Sequence, residues 1–204
     1  MMESSDRLQD IREYERTRYR GLDQRMVHGV EKRIVTGFIR KLRQDNDRVI
    51  DIPCGYGRFT SFLVDEPLEV FVGDLSHLML LRVKERFDSR VRMARGDIME
   101  LPFADNSFDG LLSMRLFQHF HTPAERIAGF SEIARVISRW AVVSVYTCSA
   151  LHKFMRMFRE HHKITMASVS QIKEEVDKSG LRILKLKKIM PGIHAQTILM
   201  VEPK

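Results

Sequence analysis

The sequence predicts an α/β protein: a doubly wound, mostly parallel sheet with helices on both faces, finished by an antiparallel hairpin. Two observations carry this. Between residues 48 and 180, short β-branched runs alternate with amphipathic helical stretches, and strands separated by crossover helices lie parallel. The last two strand-like runs, 182–190 and 196–202, are separated only by the turn signal Pro191-Gly192, and so short a connection cannot cross over.

The elements follow in order. Residues 5–19 are polar and rich in Arg and Glu, with Tyr14 and Tyr19 as aromatic anchors. They suit a helix lying over something rather than a core element, so residues 1–22, with Arg18, are expected either to form a lid or to pack as an ordinary N-terminal helix. Met26, Val30, Ile34, Phe38 and Leu42 recur at every fourth position, and Val27, Val35 and Ile39 widen the stripe. That is an amphipathic helix over 23–42. Arg48-Val-Ile-Asp-Ile52 is a first strand, Pro53-Cys-Gly-Tyr-Gly57 a tight turn, and residues 58–64 are helical. Residues 68–72 make a second strand ending in Gly73-Asp74, and Ser76 is placed to cap a helix over 77–87. A third strand covers 91–94 and ends at Arg95-Gly96-Asp97. A fourth follows the polar turn Asp105-Asn-Ser107 and covers 108–114. A helix over 123–136, a fifth strand over 140–146, a basic amphipathic stretch over 151–163 and a helix over 170–179 stopped by Gly180 complete the series.

With 204 residues and no internal repeat or Pro/Gly/Ser-rich linker, the chain is expected to be one domain over 1–204. Two cysteines, Cys54 and Cys148, make no disulfide framework and lack metal-ligand spacing. His152, His161 and His162 lack companion carboxylates or thiolates, so no metal is expected. No apolar run approaches the roughly 18 residues of a membrane span, and residues 1–14 are charged, unlike a secretory leader. A reducing cytoplasm is the expected location. The formal charge of +7 is uneven: residues 151–190 hold ten Lys/Arg against four Asp/Glu. This is a solvated basic face or an attractor of an anionic substrate, nucleic acid or membrane surface.

In an open α/β sheet, ligands sit beyond the carboxyl ends of the strands, and four such ends carry unusual residues. Asp51-Ile-Pro-Cys-Gly55-Tyr-Gly57 lets the backbone turn sharply and approach a ligand. Asp74, 19 residues after Gly55, suits a carboxylate accepting hydrogen bonds from two ribose hydroxyls. Gly96-Asp97-Ile98 can read an adenine amino group, and Ser113-Met114-Arg115 falls at the switch point. A dinucleotide fingerprint wants a third glycine where this chain has Thr60. Pro53 removes an amide donor, and no Gly-Lys-Ser/Thr follows. An adenosine ligand without a pyrophosphate fits better than NAD.

These residues resemble the class I S-adenosylmethionine-dependent methyltransferases, especially the small-molecule branch with the ubiquinone- and menaquinone-type enzymes. Val49-Ile-Asp-Ile-Pro-Cys-Gly-Tyr-Gly-Arg58 is similar to the family's first motif, with Pro53 where glycine is usual. Val72-Gly-Asp-Leu-Ser76, then Met79-Leu80, is similar to its ribose-binding strand end. Arg95-Gly-Asp-Ile-Met-Glu-Leu-Pro-Phe103 and Asn106-Ser-Phe-Asp109 are similar to its adenine loop and the approach to its fourth strand. The resemblance implies a Rossmann-like seven-stranded sheet in the order 3-2-1-4-5-7-6 with strand 7 antiparallel, and S-adenosylmethionine as cofactor. It places Asp51, Gly55 and Met114 by the methionine part, Asp74 on the ribose, and Leu75, Asp97 and Ile98 by the adenine, with Pro53, Cys54, Gly57, Met79 and Gly96 also against the cofactor.

Methyl transfer is an in-line displacement in which the enzyme contributes alignment and water exclusion. A base is needed only if the acceptor must lose a proton, and His119 is the candidate, against a structural role. His121, nearer a loop cap ahead of Pro123, is a weaker one. Arg115 either binds an anion of cofactor or substrate or makes a surface ion pair. Cys54 is not expected to act as a nucleophile. Residues 147–168 are a possible substrate cap, with Leu151, Phe154, Met155 and Phe158 on one helical face. That stretch can cover a lipid-like acceptor, touch an anionic membrane or pack as an ordinary helix. The leading expectation is a methyltransferase of a small or lipid-like molecule, an anionic one where the basic face attracts it. The alternatives are an RNA or protein methyltransferase using the basic quarter, and a non-catalytic binding module on the same fold.

Overall fold

The computed structural model describes residues 22–148, 165–191 and 194–204. The expected lid over 1–22, Leu22 apart, and most of the cap over 147–168 lie outside the described residues. Helix α1 (Leu22–Leu42) leads into β1 (Arg48–Asp51), the short α2 (Thr60–Leu63), β2 (Glu69–Asp74), α3 (His77–Phe87) and β3 (Arg92–Arg95). Then come β4 (Phe108–Ser113), α4 (Pro123–Val136), β5 (Ile137–Tyr146), α5 (Val169–Lys178), β6 (Leu181–Lys188) and β7 (Gln196–Pro203). The sheet has seven strands in the order β3-β2-β1-β4-β5-β7-β6. The five strands β1–β5 pair in parallel, while β7 runs antiparallel to both β5 and β6. This is the order that the resemblance implied.

Each face of the sheet is covered by its own helices, so apolar side chains fill two cores. One holds Val35, Phe38 and Ile39 of α1, Leu63 of α2, Val83 and Phe87 of α3, and Trp140 of β5. The other holds Phe130 and Ile133 of α4, Ile172 and Val176 of α5, and Phe117 and Phe120 from the chain after β4. The central strands are apolar on both sides because both sides are covered. The exposed edge strand β3 instead carries Arg92, ion-paired to Glu69 of β2 at 2.6 Å.

Helix ends follow their side-chain chemistry. Thr122 and Glu125 form a capping box at α4 with Pro123 in the first turn, and Ser168 and Gln171 do the same at α5. Ser76 behaves differently. It occupies the N-cap of α3 but its hydroxyl makes no capping bond; its amide donates to Asp74 Oδ1 at 2.8 Å. Strand β5 begins at Ile137 rather than at residue 140, directly after α4. The polar pair Ser138-Arg139 hid this start. Ser138 Oγ donates to the Phe108 carbonyl, and Arg139 pairs with the buried Asp47 at 2.7 Å.

Candidate functional site

A cavity of about 350 Å³ opens beyond the carboxyl ends of β1, β2 and β4. The turn after β1 forms its floor. Asp51 ends that strand fully buried, and its Oδ2 accepts the Thr60 hydroxyl at 2.7 Å. Burial pushes the Asp51 carboxyl up to about 7. Cys54 N donates to the Gly73 carbonyl at 2.8 Å, tying the turn to β2. Burial also raises the Cys54 thiol far above its ordinary range, so the sulfur stays protonated and is a poor nucleophile.

The two glycines of this turn serve different ends. Gly55 has φ +53°, and open space lies where a Cβ would point. Gly57 has φ +81°, and a Cβ there would stand 2.6 Å from the Phe87 ring of α3. Gly57 therefore sets how closely α3 approaches the turn, and it does not line the cavity. Gly57→Ala combines a left-handed backbone with that clash. It is expected to destabilise the chain by about 2 kcal/mol or more, read as a lowered Tm in thermal denaturation.

Asp74 closes β2 at the cavity wall. Its Oδ2 accepts Gly55 N at 2.9 Å and its Oδ1 accepts Ser76 N at 2.8 Å. Two backbone amides thus fix both carboxylate oxygens in direction, while burial raises the carboxyl from its usual range. Met79, one turn into α3, and Pro53 line the same cavity. Leu75, Gly96, Asp97 and Ile98 lie outside the lining. Leu75 is 57% exposed beside Asp74, and Gly96 N donates to the Asp74 carbonyl at 3.4 Å. Asp97 Oδ1 accepts Met99 N at 3.0 Å, and Ile98 is buried in the core.

The opposite wall comes from the end of β4. Met114 is buried against the cavity. Arg115 has φ +60°, and its amide donates to Ser144 Oγ of β5 at 2.6 Å. Its guanidinium grips Glu31 of α1 with two bonds, Nε to Oε1 at 3.0 Å and Nη2 to Oε2 at 2.8 Å. Glu31 is fully buried and also accepts Arg58 Nη1 and Gln196 Nε2, each at 2.5 Å. Burial alone would raise the Glu31 carboxyl, but Arg58 and Arg115 outweigh it and hold it at about 2. Arg115 is thus not in a surface ion pair: it belongs to a partly buried network that joins α1, the turn after β1, β4 and β7. His119 ends a 3-10 turn (Phe117–His119), exposed at the cavity rim, with Nε2 3.2 Å from Gln118 Nε2.

Glu31 escaped the sequence reading, although a signal was present. It interrupts the apolar stripe of α1 between Val27 and Ile34, and a carboxylate on a buried face needs a cation. Gln118 also went unnoticed. Gln118 lines the cavity; its Nε2 donates to the Arg115 carbonyl at 2.6 Å, while its Oε1, buried from solvent, has no partner among the described residues.

The site fits an adenosine-bearing ligand with an amino-acid end. It offers open space over Gly55, a fixed carboxylate at Asp74 and an orphaned acceptor at Gln118. Among the described residues, no group of His, Cys, Asp or Glu is placed to hold a metal ion. No described helix is long and apolar enough to cross a membrane.

Comparison with known proteins agrees with this geometry. Residues 49–139 match the family described as "Methyltransferase domain". A protein of Encephalitozoon cuniculi described as a methyltransferase is 34% identical over 110 residues, 54% of this chain and 49% of that one. A demethylmenaquinone methyltransferase of Beutenbergia cavernae is 35% identical over 91 residues, 44% of this chain and 36% of that one. The chain spans half or less of the length of these relatives. The crystal structure of magnesium protoporphyrin IX methyltransferase from Synechocystis PCC 6803 with bound SAH superposes with a TM-score of 0.76 at 14% identity, over 90% of this chain and 88% of that one. Residues 49–139 are thus similar to a methyltransferase domain, and the chain has the fold of the class I S-adenosylmethionine-dependent methyltransferases.

Proposed function

We propose that the protein transfers a methyl group from S-adenosylmethionine to a small or lipid-like acceptor that enters the cavity beyond β4, in a reducing cytoplasm that suits its free Cys54 and Cys148. The observation that carries this is the Asp74 carboxylate, aimed by the Gly55 and Ser76 amides at a cavity wall beside the open space over Gly55. The similarity to a demethylmenaquinone methyltransferase supports the lipid-like class and the quinone branch.

The cofactor supplies a methyl group on a sulfonium, which departs as a neutral thioether. The chain's part is to bind, orient and exclude water. In this reading Asp74 accepts the ribose hydroxyls, and Leu75, Met79, Gly96, Asp97 and Ile98 flank the adenosine. Asp51, Pro53, Cys54, Gly55 and Met114 surround the methionine part, with Gln118 Oε1 as acceptor for its ammonium. Arg115, held by Glu31, sets the positive potential of that wall. His119 stands where a proton can leave the acceptor.

Calorimetric titration with S-adenosylmethionine, S-adenosylhomocysteine (SAH) and NAD tests the reading. Micromolar binding of both sulfur ligands and none of NAD is expected. Silence toward both sulfur ligands would remove it.

The proton on Asp51 has a measurable consequence. With the folded pKa near 7 and the unfolded value near 3.8, the native state holds a proton between these pH values that the unfolded chain has lost. Stability therefore falls as pH rises through this window. Asp51→Asn is expected to remove this contribution and raise Tm at about pH 8 relative to the parent, measured by thermal denaturation across the window. An unchanged slope of Tm against pH would sink the assignment.

A further inference from the structure

A second concavity, of about 550 Å³, lies between α1 and the sheet's edge strand β6. Its walls are cationic on both sides. Arg33 and Lys41 project from α1, and Lys185, Lys187 and Lys188 from β6 and its end. No carboxylate lines it among the described residues. Lysines on an edge strand commonly guard it against pairing with another strand. That accounts for β6, but not for the two cations that face it from the helix.

Five like charges along one concavity repel one another, and walls of low dielectric focus their field. An anion relieves both. The cations are also spread out: Arg33 and Lys41 stand eight residues apart on α1, about 12 Å of helix rise. A row of phosphates matches that spread better than one group.

The shape selects among polyanions. The cations are exposed, Lys188 half-buried, but face one another across the concavity, so a thread of phosphates lying in it meets both walls, whereas a flat bilayer does not follow the concave shape. Among the described residues, the exposed large apolar side chains, Met26, Leu75, Met93, Met99 and Leu184, are absent from the lining and so do not equip it for membrane insertion. The groove's aromatic residue, Phe38, is 7% exposed and lies in the floor, so bases find no stacking platform. We propose that this groove binds the phosphodiester backbone of single-stranded nucleic acid, without preference for base sequence, independently of the methyl acceptor.

Fluorescence anisotropy of the full chain with labelled oligouridylate of about 20 nucleotides tests this. Tight binding is expected to weaken with salt, with a log–log slope of up to about −3.5 for five phosphate contacts on a single strand. Lys185→Glu with Lys187→Glu is expected to weaken binding at least ~10-fold at ~0.1 M salt and flatten the slope by about 1.4. Arg33→Glu with Lys41→Glu should do the same from the opposite wall. Lys84→Glu on α3 should leave binding unchanged, and all variants should keep the parent's Tm and SAH affinity. Parental oligonucleotide binding by both groove variants would overturn the proposal. So would failure to bind oligonucleotide while vesicles of phosphatidylcholine and phosphatidylglycerol are bound.

Discussion

Asp74→Ala is expected to weaken SAH binding by at least ~100-fold and to leave the chain folded. Each Asp74 oxygen already accepts one backbone amide, from Gly55 or Ser76, and keeps a lone pair for a ribose hydroxyl. A hydrogen bond to a charged group contributes about 1.5–3 kcal/mol. Losing two costs about 3–6 kcal/mol, a factor of roughly 10² to 10⁴ in affinity. The effect on folding is smaller. The two orphaned amides sit at the cavity, where water can replace the carboxylate, so a loss of about 1–2 kcal/mol and a few degrees of Tm is expected. Calorimetry and thermal denaturation on the same preparation separate the two effects. A variant that binds SAH within about threefold of the parent, about 0.6 kcal/mol, would show that Asp74 organises the turn and does not hold the ligand.

The frame between Val49 and Tyr146 was legible because its signals are local. The limits of α3 and α4 coincide with those expected, His77–Phe87 and Pro123–Val136, since capping residues and apolar spacing mark them within a few positions. Signals failed where a residue's partner is distant in sequence. Arg115 offered two readings from sequence, and its partner lies 84 residues away on α1. Gly57 looked like a second point of approach to a ligand, yet its neighbour is Phe87 of α3. Part of the family-like pattern is architectural: Asp109 Oδ2 accepts Arg48 N at 2.8 Å, and Asn106, at φ +55°, makes the turn into β4. Such residues align the strands whose far ends carry the site.

Glu31→Ala is expected to be the most destabilising single change. Glu31 is fully buried and is bonded to Arg58, Arg115 and Gln196. Removing one partner of a buried ion pair costs about 3–5 kcal/mol, because the other charge is left without compensation; here two guanidinium groups are left. For a chain of this length that corresponds to a fall in Tm of ~10 °C or more. Acid should imitate the substitution. The folded carboxyl is held at about 2, below the ordinary 4.5, so the native state binds fewer protons than the unfolded chain between these values. The stabilisation is fully present above about 4.5 and is lost as pH falls through about 2. Parent and variant should therefore differ widely at neutral pH and converge in acid. Function should respond as well, since Arg115 sits at the cavity in a left-handed backbone conformation, held by Glu31 and by Ser144. Glu31→Gln keeps the shape and accepts fewer charged bonds, so it should fall between parent and alanine in both Tm and SAH affinity. Equal Tm for parent and Glu31→Ala at neutral pH would mean that water reaches the two arginines, and that α1 is not tied to the cavity wall by this carboxylate.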